Sequence, residues 1–224
     1  MKALLTTMKT VPAKLLLVTC LCAVHNFAQA ADVESRETVS QNEGLKFVPT
    51  LGYSFFNITG SDVDYKSKSG SSASVLVQKG FSPNLSAESG LQYLEAGAKQ
   101  SLDFGFFSLD TAIVDIKLIT IPVRAQYVFN PTSTGAHYYG KAGVAATYVV
   151  GAKVTILGES QDIKSELNSV GAFAQAGLGA NWEIASASRL NVDVTYNYGL
   201  TKVFKNASGK LAGLELQAGY AIPF

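Results

Sequence analysis

This chain of 224 residues is poor in cysteine, histidine, charge and long apolar runs. Its two cysteines, Cys20 and Cys22, both fall in the first thirty residues, so the remainder has no thiol for a disulfide or a zinc site. The two histidines are His25 and His137, and a single histidine beyond residue 30 supplies no metal-ligand set. Charged residues make up 16% of the chain, low for a soluble domain. Eighteen basic and seventeen acidic residues give +1, and Lys2, Lys9 and Lys14 lie in the first thirty, so the rest carries −2. That balance leaves no basic stripe for nucleic acid. Beyond residue 30 no apolar run approaches the roughly 20 residues of a membrane-spanning helix, and nothing repeats with the 3.6-residue helical period.

What is present begins with a secretory pattern. Lys2, Lys9 and Lys14 precede a ten-residue apolar core, Leu15 to Val24, and Ala28-Gln29-Ala30 offers a small-x-small cleavage site. Residues 1–30 read as a signal peptide. Residues 31–43 (ADVESRETVSQNE) are polar, acidic and aperiodic, and read as a flexible N-terminal tail on the periplasmic side.

From residue 44 to 224 the chain alternates with period two, the signature of strands whose side chains point to opposite faces. The spacing predicts eight strands, over about 45–56, 73–81, 85–97, 112–129, 136–150, 170–184, 189–200 and 212–224. The clearest is the seventh, where Leu190, Val192, Val194, Tyr196, Tyr198 and Leu200 oppose Arg189, Asn191, Asp193, Thr195, Asn197 and Gly199. The eighth places Leu214, Leu216, Ala218, Tyr220, Ile222 and Phe224 on one face and Glu215, Gln217 and Gly219 on the other. Connections alternate between long polar ones (57–72, 98–109, 151–169, 201–210) and short turns (82–84, 130–135, 185–188). An even number of strands with long loops on one rim and tight turns on the other is the construction of a transmembrane barrel, which leaves no unpaired edge in lipid. The expected fold is therefore all-β: an eight-stranded antiparallel up-and-down transmembrane β-barrel in the outer membrane of a Gram-negative cell, its tight-turn rim periplasmic. Aromatic residues group near both strand ends. Tyr127, Trp182 and Tyr220, with Phe129 and Tyr138, mark one membrane interface; Tyr53, Tyr148 and Tyr198, with Phe55, mark the other.

The segments LSAESGLQYLEAGAK (85–99) and LITIPVRAQYVF (118–129), with the terminal aromatic, resemble the small bacterial outer-membrane barrels, the PorT-like and OmpX- or OmpA-like eight-stranded families. The matching features are Glu88, Gly90, Leu91 and Tyr93 in one strand, Ile121-Pro122 in another, and Phe224. The resemblance implies the fold and the outer membrane but no reaction, because fold does not fix function. It also implies that Tyr220, Ile222 and Phe224 form the signal read by the barrel-assembly machinery.

On the assigned phase Glu88, Arg124, Lys141, Glu183, Arg189, Asp193 and Glu215 point inward. Buried charges must pair, so a lumen network centred on Glu88, Arg124, Lys141, Asp193 and Glu215 is expected. Gly90, Gly143, Gly177, Gly179, Gly199 and Gly219 share that face and leave room for the long charged side chains. No metal site, cofactor site or catalytic constellation is expected: His137 follows a periplasmic turn, about a membrane thickness from the serines of the long loops, and Asp62 and Asp64 read as solvated loop charge. Val154, Ile156 and Leu157 suggest that the third long loop protrudes as a hairpin. The reading is a monomer bathed in outer-membrane lipid, with a structural or surface role and an extracellular partner engaged through its loops. Two alternatives stay open: a narrow channel or transporter for small solutes, and a soluble lipocalin-like barrel with its apolar face inside.

Overall fold

The computed structural model of the chain describes residues 44–60, 65–103, 108–131, 135–156, 158–185 and 188–223. The expected signal and tail segments, Asp62, Asp64, Leu157 and Phe224 lie outside them. In chain order the strands are β1 Gly44–Thr59, β2 Lys66–Gly80, β3 Leu85–Asp103, β4 Ser108–Val128, β5 Ala136–Ile156, β6 Glu159–Asp162, β7 Val170–Ala185, β8 Ser188–Gly199 and β9 Lys210–Pro223. Eight of them form a closed antiparallel barrel. Each pairs with the next in sequence, β7 following β5, and the β1–β9 pairing joins the ends. The four-residue β6 pairs with β5 as a hairpin arm outside the ring.

Alternation is what closes this sheet the right way out. On β1, Leu51 is 72% exposed and Tyr53 67%, while Thr50 and Ser54 on either side of them are buried. Leu178, Val194, Leu214 and Leu216 face outward in the same manner. An apolar skin of this extent is stable against lipid and costly against water. It overturns the soluble alternative, which needed the apolar face inside. Tyr127, Tyr138, Trp182 and Tyr220 stand toward the short-turn rim, and Tyr53, Tyr93, Tyr148 and Tyr198 toward the other; Tyr220 is half-buried, the rest of the first group exposed. Along β5, the rise from Tyr138 to Tyr148 is about 33 Å, or roughly 24 Å of thickness at a tilt of about 40–45°. That matches the hydrocarbon band of an outer membrane. Tyr196, 46% exposed, sits between the two belts.

The short turns are held by side chains. Asn130 accepts from the Tyr138 N–H at 2.7 Å and donates to the Ala136 carbonyl at 2.9 Å, and Gly135 supplies a φ of 118° that a residue with a Cβ rarely adopts. Asn84 donates across to the Val128 carbonyl at 2.8 Å, tying the β2–β3 turn to the end of β4.

The long connections differ from expectation. Most of 57–72 and 98–109 is strand: β1 runs to Thr59, β2 starts at Lys66, and β3 and β4 continue as a hairpin well above the membrane band. The sequence KSKSGSS has poor strand propensity, but β1 lies on one side of it and β3 on the other, and the paired neighbours decide its conformation. The third long loop does carry a hairpin, β5 turning into β6 through Gly158. A bulge opposite Lys117/Leu118 inserts Val150 into β5, so that Val149 and Ala152 both end up buried.

Candidate functional site

The barrel interior is stratified. At the short-turn rim, Lys46, His137, Asn181 and Arg189 are buried. Arg189 Nη2 donates to Glu183 Oε1 at 2.9 Å, and His137 Nδ1 donates to the Asn130 carbonyl at 3.2 Å with its Nε2 3.7 Å from Glu183. The side chain of Glu183 is 36% exposed, so this carboxylate closes the rim from the solvent side instead of joining the lumen set.

Above it lies the charged layer. Strand register brings its members together: Glu88 stands opposite Arg124, Gln126 opposite Lys141, Lys141 opposite Gly177 and Asp193 opposite Gly179. Arg124 Nε lies 2.7 Å from Glu88 Oε1 with the guanidinium side chain fully buried. Lys141 Nζ donates to Asp193 Oδ1 at 2.6 Å and lies 4.0 Å from Glu88. Asp193 also accepts from Tyr139 at 3.1 Å and from Thr195 at 3.2 Å. Glu215 accepts from Gln92 at 2.5 Å and from Gln217 at 3.0 Å, and Thr120 donates to the Gln92 oxygen at 3.1 Å. All five of Glu88, Arg124, Lys141, Asp193 and Glu215 are buried. Such charges are tolerable only when paired. Glycine makes room for them. A Cβ on Gly179 would lie 2.5 Å from the Tyr139 ring, which covers that glycine, and one on Gly177 would lie 3.1 Å from Lys141 Cε.

Toward the outer end the interior turns apolar. Phe56 and Ile58 of β1, Leu94 of β3, Ile116 and Leu118 of β4, Val149 of β5, Phe173 of β7 and Leu211 of β9 form one buried cluster, with the Phe56 and Phe173 rings 5.9 Å apart. Two outer segments fold onto it. Leu167, after the 3-10 turn Lys164–Glu166, is fully buried and bridges to Phe204, and Val203 packs beside them. The Asn168 N–H donates to the Val203 carbonyl at 2.8 Å and the Lys205 N–H to the Glu166 carbonyl at 3.0 Å. The cap is therefore hydrogen-bonded as well as packed.

Outside the membrane band, Glu95 accepts from Ser71 Oγ at 2.8 Å, from the Ser71 N–H at 3.3 Å and from Tyr93 at 2.9 Å. The Ser71 hydroxyl, then Tyr93 and the Ser71 amide, hold its carboxyl below the usual range against a smaller opposing effect of desolvation, and Lys117 at 3.8 Å adds to the lowering. Lys68 pairs with Asp115 on the same outer face.

The sequence reading missed Lys46, Tyr139, Gln92, Gln217 and Thr195 as partners, and the apolar cluster entirely. A signal for the cluster was present. Going outward, the inward set changes from Lys46, Thr50 and Ser54 to Phe56 and Ile58 on β1, and from Arg124 and Thr120 to Leu118 and Ile116 on β4. Tyr139 shares the inward phase of His137 and Lys141, and only its register opposite Gly179 puts it over Asp193.

The decisive comparison covers most of the chain: residues 27–205 match the model described as outer membrane protein beta-barrel domain. The chain belongs to this family. Its place is the outer membrane of a Gram-negative bacterium. No curated protein matches the sequence. Among solved structures, Neisserial surface protein A (NspA) aligns with a TM-score of 0.52 at 17% identity, over 81% of this chain and 100% of that one. OprG from Pseudomonas aeruginosa aligns at 0.48 and 13% identity over 82% and 98%, and Ail, the attachment invasion locus protein of Yersinia pestis, at 0.44 and 16% over 80% and 99%. At these identities the likeness is one of fold alone.

Proposed function

We propose that this protein is a closed, non-conducting and non-catalytic monomeric barrel whose task lies at its outer end, where strand extensions and the loop cap are displayed on the cell surface. The observation that carries this reading is the apolar cluster above the charged layer. Arg124, Gln92, Glu215 and Thr195 are essentially without solvent access, and Phe56, Leu118, Phe173 and Leu167 cover them from outside. An ion crossing this barrel would have to shed its hydration in a packed hydrocarbon layer. His137 is engaged at the opposite rim, which supports the non-catalytic reading. The exposed arm Glu159–Asp162 and the exposed Lys153, Lys202 and Lys205 offer the polar surface on which an extracellular partner would dock. Assembly machinery recognising Tyr220, Ile222 and Phe224 belongs to the same proposal. The test is single-channel recording in planar bilayers of protein refolded to its heat-modifiable form. Conductance at the level of protein-free membranes is expected. Reproducible unit steps from wild-type protein would overturn the reading in favour of a narrow channel.

A further inference from the structure

The charged layer does not balance. Arg124 is matched by Glu88 and Lys141 by Asp193, while Glu215, the third carboxylate, makes no ion pair among the described residues and is held by two carboxamides beside the Ser72 hydroxyl. Both amide groups give their N–H to the same oxygen, Oε1. Glu215 Oε2 has no hydrogen-bond partner, and neither has Gln217 Oε1 nor Ser72 Oγ. All three residues are more than nine-tenths buried. They also share one corner of the lumen. Gln217 stands opposite Gly52, Gly52 opposite Ser72, and the Ser72 hydroxyl lies against the Glu215 carboxyl. Gly52 keeps that corner open, since a Cβ there would lie 2.8 Å from Ser72 Oγ. Arg124 does not fill the need: its Nη1 and Nη2 find no acceptor.

We infer that Glu215 Oε2, Gln217 Oε1 and Ser72 Oγ form a site for one monovalent cation of the sodium type, held inside the barrel. The donor set is all oxygen, which is what hard cations take. One positive charge brings the layer from −1 to neutral, whereas a divalent ion would overshoot.

The experiment compares thermal unfolding, read by loss of heat-modifiability, for protein refolded and melted in NaCl or in choline chloride at equal ionic strength. A site filled at about ten times its dissociation constant favours the folded state about elevenfold, a rise of about 3–6 °C for a chain of this size. The rise should saturate with sodium, and it should vanish in Glu215→Gln and shrink in Ser72→Ala. The wild-type comparison needs no variant to fold. Equal melting in the two salts overturns the site and leaves Glu215 neutralised by a proton. A sodium effect that survives Glu215→Gln unchanged places the ion elsewhere and also overturns it.

Discussion

Asp193→Asn probes the filled lumen most directly. The substitution keeps shape and removes the charge that Lys141 Nζ meets at 2.6 Å. The ammonium is then left buried with Glu88 at 4.0 Å, a carboxylate already engaged by Arg124 at 2.7 Å. Breaking a buried pair from one side costs about 3–5 kcal/mol. Lys141→Met costs less, near the lower end of that range, because Asp193 keeps its donors Tyr139 and Thr195. In the double variant no unpaired charge remains, so its cost falls well below the sum, with a coupling of at least about 2 kcal/mol. The assay is equilibrium urea unfolding of the refolded barrel in lipid vesicles, followed through the fluorescence of Trp182. Additive costs, with coupling below about 0.5 kcal/mol, would refute the account of the lumen as a set of mutually dependent charges.

Other expectations follow from the same geometry. Val194→Arg, on the lipid face near mid-band, should cost about 2–4 kcal/mol in vesicle-refolded protein, while Val194→Leu should be nearly neutral. Gly179→Ala drives a Cβ to within 2.5 Å of the Tyr139 ring and should cost about 1–3 kcal/mol by denaturant titration, relieved in part by Tyr139→Ala. Phe173→Ala empties part of the outer cluster and should cost about 3–5 kcal/mol, with faster proteolysis of the 201–210 connection as a second readout. Glu95 has a lowered folded-state pKa, so its contribution is present above the ordinary carboxylate range and fades as pH falls through the folded value. Glu95→Gln should therefore narrow its stability gap to wild type on acidification, by less than about 1 kcal/mol because the site is partly exposed and screened by solvent.

The eight strands and their inside–outside phase could be read directly because period-two patterning is a local property. Val194 faces lipid and Thr195 the lumen whatever their partners are. Strand length was misjudged where local propensity and pairing disagree, as in KSKSGSS, whose conformation is set by hydrogen bonds from β1 and β3 on its two sides. The placement of Glu88, Arg124, Lys141, Asp193 and Glu215 within one layer depends on register, which carries residues more than 120 apart in sequence, such as Gln92 and Glu215, into contact.

The sequence by itself determined the all-β character, the strand number, the lipid face with its aromatic belts and the polar inner face. Each of these is written in the alternation of neighbouring residues and the length of the connections. The tertiary structure alone decided which charges meet, that Tyr139 covers Gly179 beside Asp193, and that Leu167 and Phe204 from two distant connections close the outer mouth. Barrel closure and strand stagger fix those contacts, and both are properties of the whole sheet that no single strand encodes.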